Sequence, residues 1–476
     1  VLINLAGELS DEEALGYAIQ LLDELIDSAP VSSSWISHAR YNRANAKENL
    51  LESVGRRVWE EAEEDERRAE YYKFRALRRL DLRAARRDFL AAAQDVDPVH
   101  RTQARTNLGN ILSTSGRWLE AFEQYVEAVA LDPTNGNAAG NAALSLYRVL
   151  QSDLGPAGHL AAVYSKYRAI AHANRARTVE LAGEEAAAKW DALPEIESHG
   201  HLAHAHSDDP YLQWVARERL ALTPVMDGLG SDNPRFDDVS IHSVFSRRDE
   251  EGMPQVFAAA NVLKSDYLAA RRTVYQGLAT LDEGGGGWAL HPRDTGTYAD
   301  TLDYAVYGEP ISFLTLGARA ALDVLDKIAV ATNEYLGTSD NPGSVNFRKY
   351  WFDKKTRDVD WPGLHCKLTD QNLDMSRILA LAELADDLED GGLYEDAQAM
   401  RNRSTHRLVR GKLFDAEGIT NTALTTLDIE NLKGASVESL RVARAGILYF
   451  HALVSVRELR NGSQSDGFML PVFDLD

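Results

Sequence analysis

The chain has 476 residues and a formal charge of −22, from 51 Lys and Arg against 73 Asp and Glu. Apolar residues make up 44% and charged residues 26%, which excludes wholesale disorder, a collagen-like chain and a small disulfide-stapled scaffold. The lone cysteine, Cys366, excludes an internal disulfide and agrees with a reducing cytoplasm. At this length two or three domains are expected. No uncharged apolar run reaches the roughly 18 residues of a membrane span. The opening VLINLAGELSDEEAL has neither a basic n-region nor a cleavage-site pattern, so no signal peptide is expected and the cytoplasm is the expected compartment. The acidic balance argues against a nonspecific grip on nucleic acid, so an RNA or DNA ligand would need a local basic patch.

Residues 1–190 read as helix after helix, with apolar residues recurring at three and four positions in EEALGYAIQLLDELI and LEAFEQYVEAVALD. Within TQARTNLGNILSTSGRWLEAFEQYVEAVALDPTN (102–135), Leu108 and Gly109 fall where two helices approach closely. Gly116 opens a turn, Ala121, Tyr125 and Ala128 form a packing stripe, and Pro133 ends the second helix. This segment resembles a tetratricopeptide (TPR) repeat. Ala39–Asn45 and Ala139–Leu144 echo its first helix, and RAARRDFLAAAQDVDP (83–98) resembles a second helix closing at Pro98. The resemblance implies an array of about four units, each of which needs its neighbours to bury its apolar face.

Residues 191–256 break the pattern and read as a connecting segment rich in turn residues. In it His199, His201, His204 and His206 cluster, but without a nearby Cys or a finger spacing they read better as a polar linker than as zinc ligands. Asp232, Asp237 and Asp238 lack the EF-hand pattern and read as a turn or cap. Gly284–Gly287 follow no strand and precede no Lys-Ser/Thr, so they make no phosphate-binding loop. No metal or cofactor is expected.

Residues 257–476 return to long helices: one after Pro254, another over 311–337, and further ones over 368–390, 393–413 and 437–461. With no convincing strand alternation, the expected class is all-α, helical repeats followed by an up-and-down bundle.

The sharpest chemical signal is Arg401-Asn402-Arg403-Ser404-Thr405-His406. On a helix Asn402 and His406, at i and i+4, share a face. An imidazole can move a proton near neutral pH, and a guanidinium can hold phosphate oxygens bidentately. Arg401, Arg403, Arg407, Arg410 and Lys412 place five cations in twelve residues with no acid among them, an electropositive site suited to RNA. The plainer alternative is a solvated basic face that complements the acids in LADDLEDGGLYED. Arg441 and Arg444, farther on, are expected to pair with acids rather than to touch RNA.

The Arg-Asn-x-x-x-His signature in a long helical bundle resembles the HEPN ribonucleases, over about 256–461. The resemblance implies Arg401, Asn402 and His406 as catalytic residues, with Asp326 on the 322–337 helix in support. It implies metal-independent cleavage of RNA to a 2′,3′-cyclic phosphate, and a homodimer in which two motifs face each other. It further suggests a stress or antiviral defence effector of toxin type, with the repeats as the platform for a protein or peptide trigger. The alternative is a noncatalytic scaffold whose bundle binds RNA or nucleotide, or only dimerises.

Overall fold

The computed structural model describes residues 2–28, 35–64, 66–152, 154–155, 157–197, 206–233, 236–246, 253–283, 298–299, 301, 304–338, 340–353, 363–369, 374–406, 408–412, 424–464 and 468–471. His199, His201, His204, Gly284–Gly287 and Arg407 lie outside them.

The N-terminal region is a succession of helices: α1 (Leu2–Glu8), α2 (Glu12–Ser28), α3 (Ile36–Glu61), α4 (Arg67–Leu77), α5 (Arg79–Ala92), α6 (Pro98–Thr114), α7 (Trp118–Leu131), α8 (Gly136–Leu150), α9 (Ala157–Ala173) and α10 (Arg175–Asp191). Neighbours pack as hairpins, α2 on α3, α6 on α7 and α8 on α9. The α6–α7 hairpin follows the expected pattern. Gly116 turns the chain at φ +79°, a left-handed conformation that suits glycine. Gly109 lets the helices meet, since a Cβ there would lie 2.4 Å from the Tyr125 ring. Ala121, Tyr125 and Ala128 are buried. One expectation is corrected: Pro98 does not close a helix. The preceding helix α5 ends at Ala92, and Pro98 opens α6 behind the N-cap Asp97, where its missing N–H costs nothing.

The segment expected to be a mere connection supplies much of the interior. Helix α11 (Pro210–Arg217) buries Tyr211, Trp214 and Val215, and the following turns bury Leu220, Leu222, Val225, Phe236 and Ile241. Asp237 ties these turns down by pairing with the buried Arg271 at 2.7 Å and accepting the Leu222 N–H at 2.7 Å.

The C-terminal bundle is built on α12 (Gln255–Glu283), α13 (Glu309–Leu336) and α17 (Ile429–Gln464), with the shorter α14 (Phe347–Tyr350), α15 (Met375–Asp386) and α16 (Glu395–His406) against them. Glycines set the closest contact: a Cβ on Gly317 would lie 2.6 Å from Val274, so α12 and α13 touch almost backbone to backbone. One hydrophobic cluster runs from Ala44 to Val454, so repeats, middle segment and bundle share a core. The class is all-α, and no helix among the described residues is long and apolar enough to cross a membrane.

Five short strands among the described residues were not foreseen. β1 (Ser243–Ser246) pairs antiparallel with β5 (Phe468–Pro471). β3 (Leu408–Lys412) pairs antiparallel with β2 (Ala305–Val306) and parallel with β4 (Leu424–Asp428). Strands this short show no period, and their partners are distant in sequence. The helix expected over 393–413 therefore ends at His406, and the chain continues as β3.

Candidate functional site

Helix α16 carries the motif. Its inner face buries Ala397 and Met400 against the bundle. Arg401 lies beside this face, half-buried, and Asn402 faces solvent. The Arg401 Nη2 donates to Asp323 Oδ1 at 2.7 Å and to Asp326 Oδ2 at 2.6 Å, both on α13. The other oxygen of Asp326 accepts the Phe347 N–H at 2.8 Å, which fixes the carboxylate from behind. Burial disfavours the Arg401 charge, but the two carboxylates outweigh it and hold its pKa above the ordinary value. Asn402 Oδ1 accepts from Gln398 Nε2 at 3.0 Å, which leaves its NH2 group to donate outward.

Asp326, chosen from sequence, thus touches the motif arginine. Asp323 was missed, though its position one turn before Asp326 on the same helix face was the available signal. His406 and Arg403 lie on α16, and their side chains fall outside the described set, as does Arg407 altogether.

The basic run does not form one exposed face. Arg410 and Lys412 are 7% and 5% exposed on β3, and Arg410 Nε donates to Thr426 Oγ1 at 3.0 Å. They do not present their charge to solvent as the reading of RNA-binding cations required. The physical reason is the change from helix to strand at 408: the sheet closes against Ile311 and Ile429, which flank Gly411. Nor do Asp386 and Asp387 of LADDLED complement this run; Glu389 pairs with Arg348 at 3.4 Å, and Asp390 is exposed. Glu383, Asp386 and Asp387 are buried and face arginines of the repeats. Arg86, fully buried, holds Asp387 through Nε and Nη2, at 2.9 and 2.8 Å, and Glu383 through Nη1 at 2.7 Å. Arg75 reaches Glu383 at 3.3 Å, and Arg117 also pairs with Asp387. Arg87 donates to the Gly392 carbonyl at 2.6 Å and pairs with Glu395 at 2.7 Å, at the first residue of α16. The repeats therefore grip the start of the motif helix.

Arg441 and Arg444 pair with acids, as expected: Arg441 with Glu218 at 2.9 Å and Arg444 with Glu123 at 2.8 Å. Two groups of potential metal ligands converge among the described residues, His38–Asp95–His100 and Asp353–His365–Cys366. In the first, the imidazoles stack in parallel, with centroids 4.0 Å apart and planes within 4°, and His100 Nδ1 lies 3.0 Å from Asp95. Lone pairs of parallel rings do not converge on one point, so this group fits a clasp between α3 and α6 better than a metal cage.

Residues 247–457 match the model of the LA2681-like HEPN family. No curated protein and no solved structure matches the chain.

Proposed function

We propose that the chain is a metal-independent endoribonuclease of HEPN type, with its N-terminal helices as a TPR-like regulatory platform. The observation that carries this reading is the fixed guanidinium of Arg401, which shares α16 with Asn402 and His406 and is held by Asp323 and Asp326 on α13. A half-buried arginine between two carboxylates is pre-set in one orientation, which is what holding a scissile phosphate requires.

In this reading a 2′-hydroxyl attacks the adjacent phosphorus. His406 takes the 2′ proton, the 2′-O–P bond forms, and the P–O5′ bond breaks. The His406 of a second copy protonates the leaving 5′-oxygen. Arg401 steadies the negative charge that grows on the phosphate oxygens, and Asn402 orients it with its outward NH2. Arg403 and Arg407 are the remaining cations proposed to contact RNA. The homodimer, the cytoplasmic setting and the role as a stress or antiviral effector belong to the same proposal and rest on family likeness.

The test is RNA cleavage by the full chain in EDTA, wild type beside His406→Ala, with end-group analysis. Cleavage to 2′,3′-cyclic phosphates that is lost in the variant supports the reading; cleavage retained by the variant overturns it. The two acids that engage Arg401 also suit a purely structural arginine in a noncatalytic, RNA-binding or dimerising bundle. RNA binding with no cleavage by wild type would favour that second reading.

A further inference from the structure

A sizeable cavity lies away from the motif. The concave side of the repeats, closed at one end by α15 and α17, encloses about 1480 Å³. Its walls are rich in hydrogen-bond donors. Asn137 accepts from the Trp190 indole at 3.2 Å, and an indole N–H only donates, so the amide is fixed with its NH2 as the open end. Asn110 Oδ1 accepts from the Tyr125 hydroxyl at 3.0 Å and is oriented in the same way. The buried Trp118 Nε1 has no hydrogen-bond partner.

Cations converge on the same space. Arg68, Arg148 and Lys189 line it, and none has a carboxylate within 4 Å among the described residues. Arg148 has one hydrogen bond, to Ser113 Oγ at 3.3 Å, and Lys189 lies 4.6 Å from the centroid of the Trp190 ring. Arg377 is 9% exposed, its Nε makes no hydrogen bond, and its nearest acid, Asp374, is 4.0 Å away and already caps α15. Lys189 and Arg377 are both held below their ordinary pKa, chiefly by loss of surrounding water; the charge of Arg148 lowers both further, against Glu185 at Lys189 and Asp374 at Arg377. Glu185 and Asp374 line the same cavity, but the cations outnumber them, and such an excess calls for an anion.

We propose that this cavity binds a phosphorylated small molecule of nucleotide size, its phosphates held by Arg148, Lys189 and Arg377. Two features favour phosphate over the carboxylates of an acidic peptide. The three cations crowd one region, which suits a compact, multiply charged group. Carboxylates on an extended chain are spread out at about 3.3 Å per residue and would need cations strung along the groove. Trp59, 40% exposed on the same wall with Tyr71 edge-on at 6.3 Å, offers a face to a flat ring. The volume exceeds the roughly 300–1,000 Å³ of an ordinary small-molecule site, so a nucleotide fits with room for water. The inference builds on the repeats as a sensing platform and is independent of ribonuclease activity, so failure of either leaves the other standing.

The test is calorimetric titration of the full chain with pyrophosphate, ATP and an oligoglutamate peptide, repeated with Arg148→Gln and Lys189→Gln. Both variants change exposed side chains, and circular dichroism checks that they fold. Pyrophosphate and ATP are expected to bind, ATP more tightly through its ring, and each variant is expected to weaken both by about tenfold or more, the loss of one charge-assisted contact. Absence of binding by both phosphates, affinity unchanged in both variants, or tighter binding of oligoglutamate than of ATP would overturn the proposal.

Discussion

Replacing Arg86 by Met probes what joins the repeats to the bundle. Arg86 is fully buried and makes its hydrogen bonds to Asp387 and Glu383 at 2.7–3.1 Å. Methionine keeps most of the volume and removes the charge, which leaves two buried carboxylates short of a partner. Breaking a buried pair from one side costs about 3–5 kcal/mol. Arg117 still reaches Asp387 and Arg75 still reaches Glu383, so the lower end, about 3 kcal/mol, is expected. Urea denaturation followed by tryptophan fluorescence measures the loss. Adding Asp387→Asn alone to Arg86→Met restores the charge balance, since Arg75 keeps Glu383 and Arg117 keeps Glu120, and should recover a large part of it. A cost below about 1 kcal/mol for Arg86→Met, the range of a solvated surface pair, would show that the seam is wet and the network weak. A double variant no better than the single one would refute the charge-balance reasoning directly.

Other outcomes follow from single positions. Asp326→Asn keeps the shape but weakens the hold on Arg401; cleavage is expected to fall by about tenfold or more with the fold intact, and unchanged kcat/KM would remove Asp326 from the site. Gly109→Ala places a Cβ 2.4 Å from the buried Tyr125 ring, and overpacking of this kind costs about 1–3 kcal/mol. Denaturation with no loss would mean that α6 and α7 part more easily than their contact suggests. Burial lifts Asp386 from 3.8 to about 7, because its arginine neighbours stand at 3.5 Å or more. The folded state therefore keeps its proton longer than the unfolded chain, and this stabilisation is lost as pH rises from about 4 through about 7. Asp386→Asn should be more stable relative to wild type at pH 8 than at pH 5; the opposite trend in paired melting curves would show that the arginines keep it charged.

Much of the fold was legible locally. The α6–α7 hairpin was readable because its signals are short-range: a glycine at the close approach, a glycine at the turn, and a small-and-aromatic stripe at helical spacing. The motif helix was readable for a related reason, from residue type and spacing, whereas Asp326 on a facing helix came only from the family resemblance. What sequence reading missed depends on distant partners. Leu408–Lys412 continues a helical-looking run, yet it becomes a strand because residues 305–306 and 424–428 offer it ladder hydrogen bonds. The same change buries Arg410 and Lys412, which a linear count of charges had placed at the surface. LADDLED reads as the complement of a basic helix face, but Arg86, 301 positions before Asp387, pairs with that acid in the core. The sequence by itself determined the helical class and the repeat-like hairpin. Which charges face water, which cancel one another in the interior, and how the repeats grip the start of the motif helix were decided only by tertiary structure. Burial and long-range pairing set the energy of a charge, and neither is a property of the residue alone.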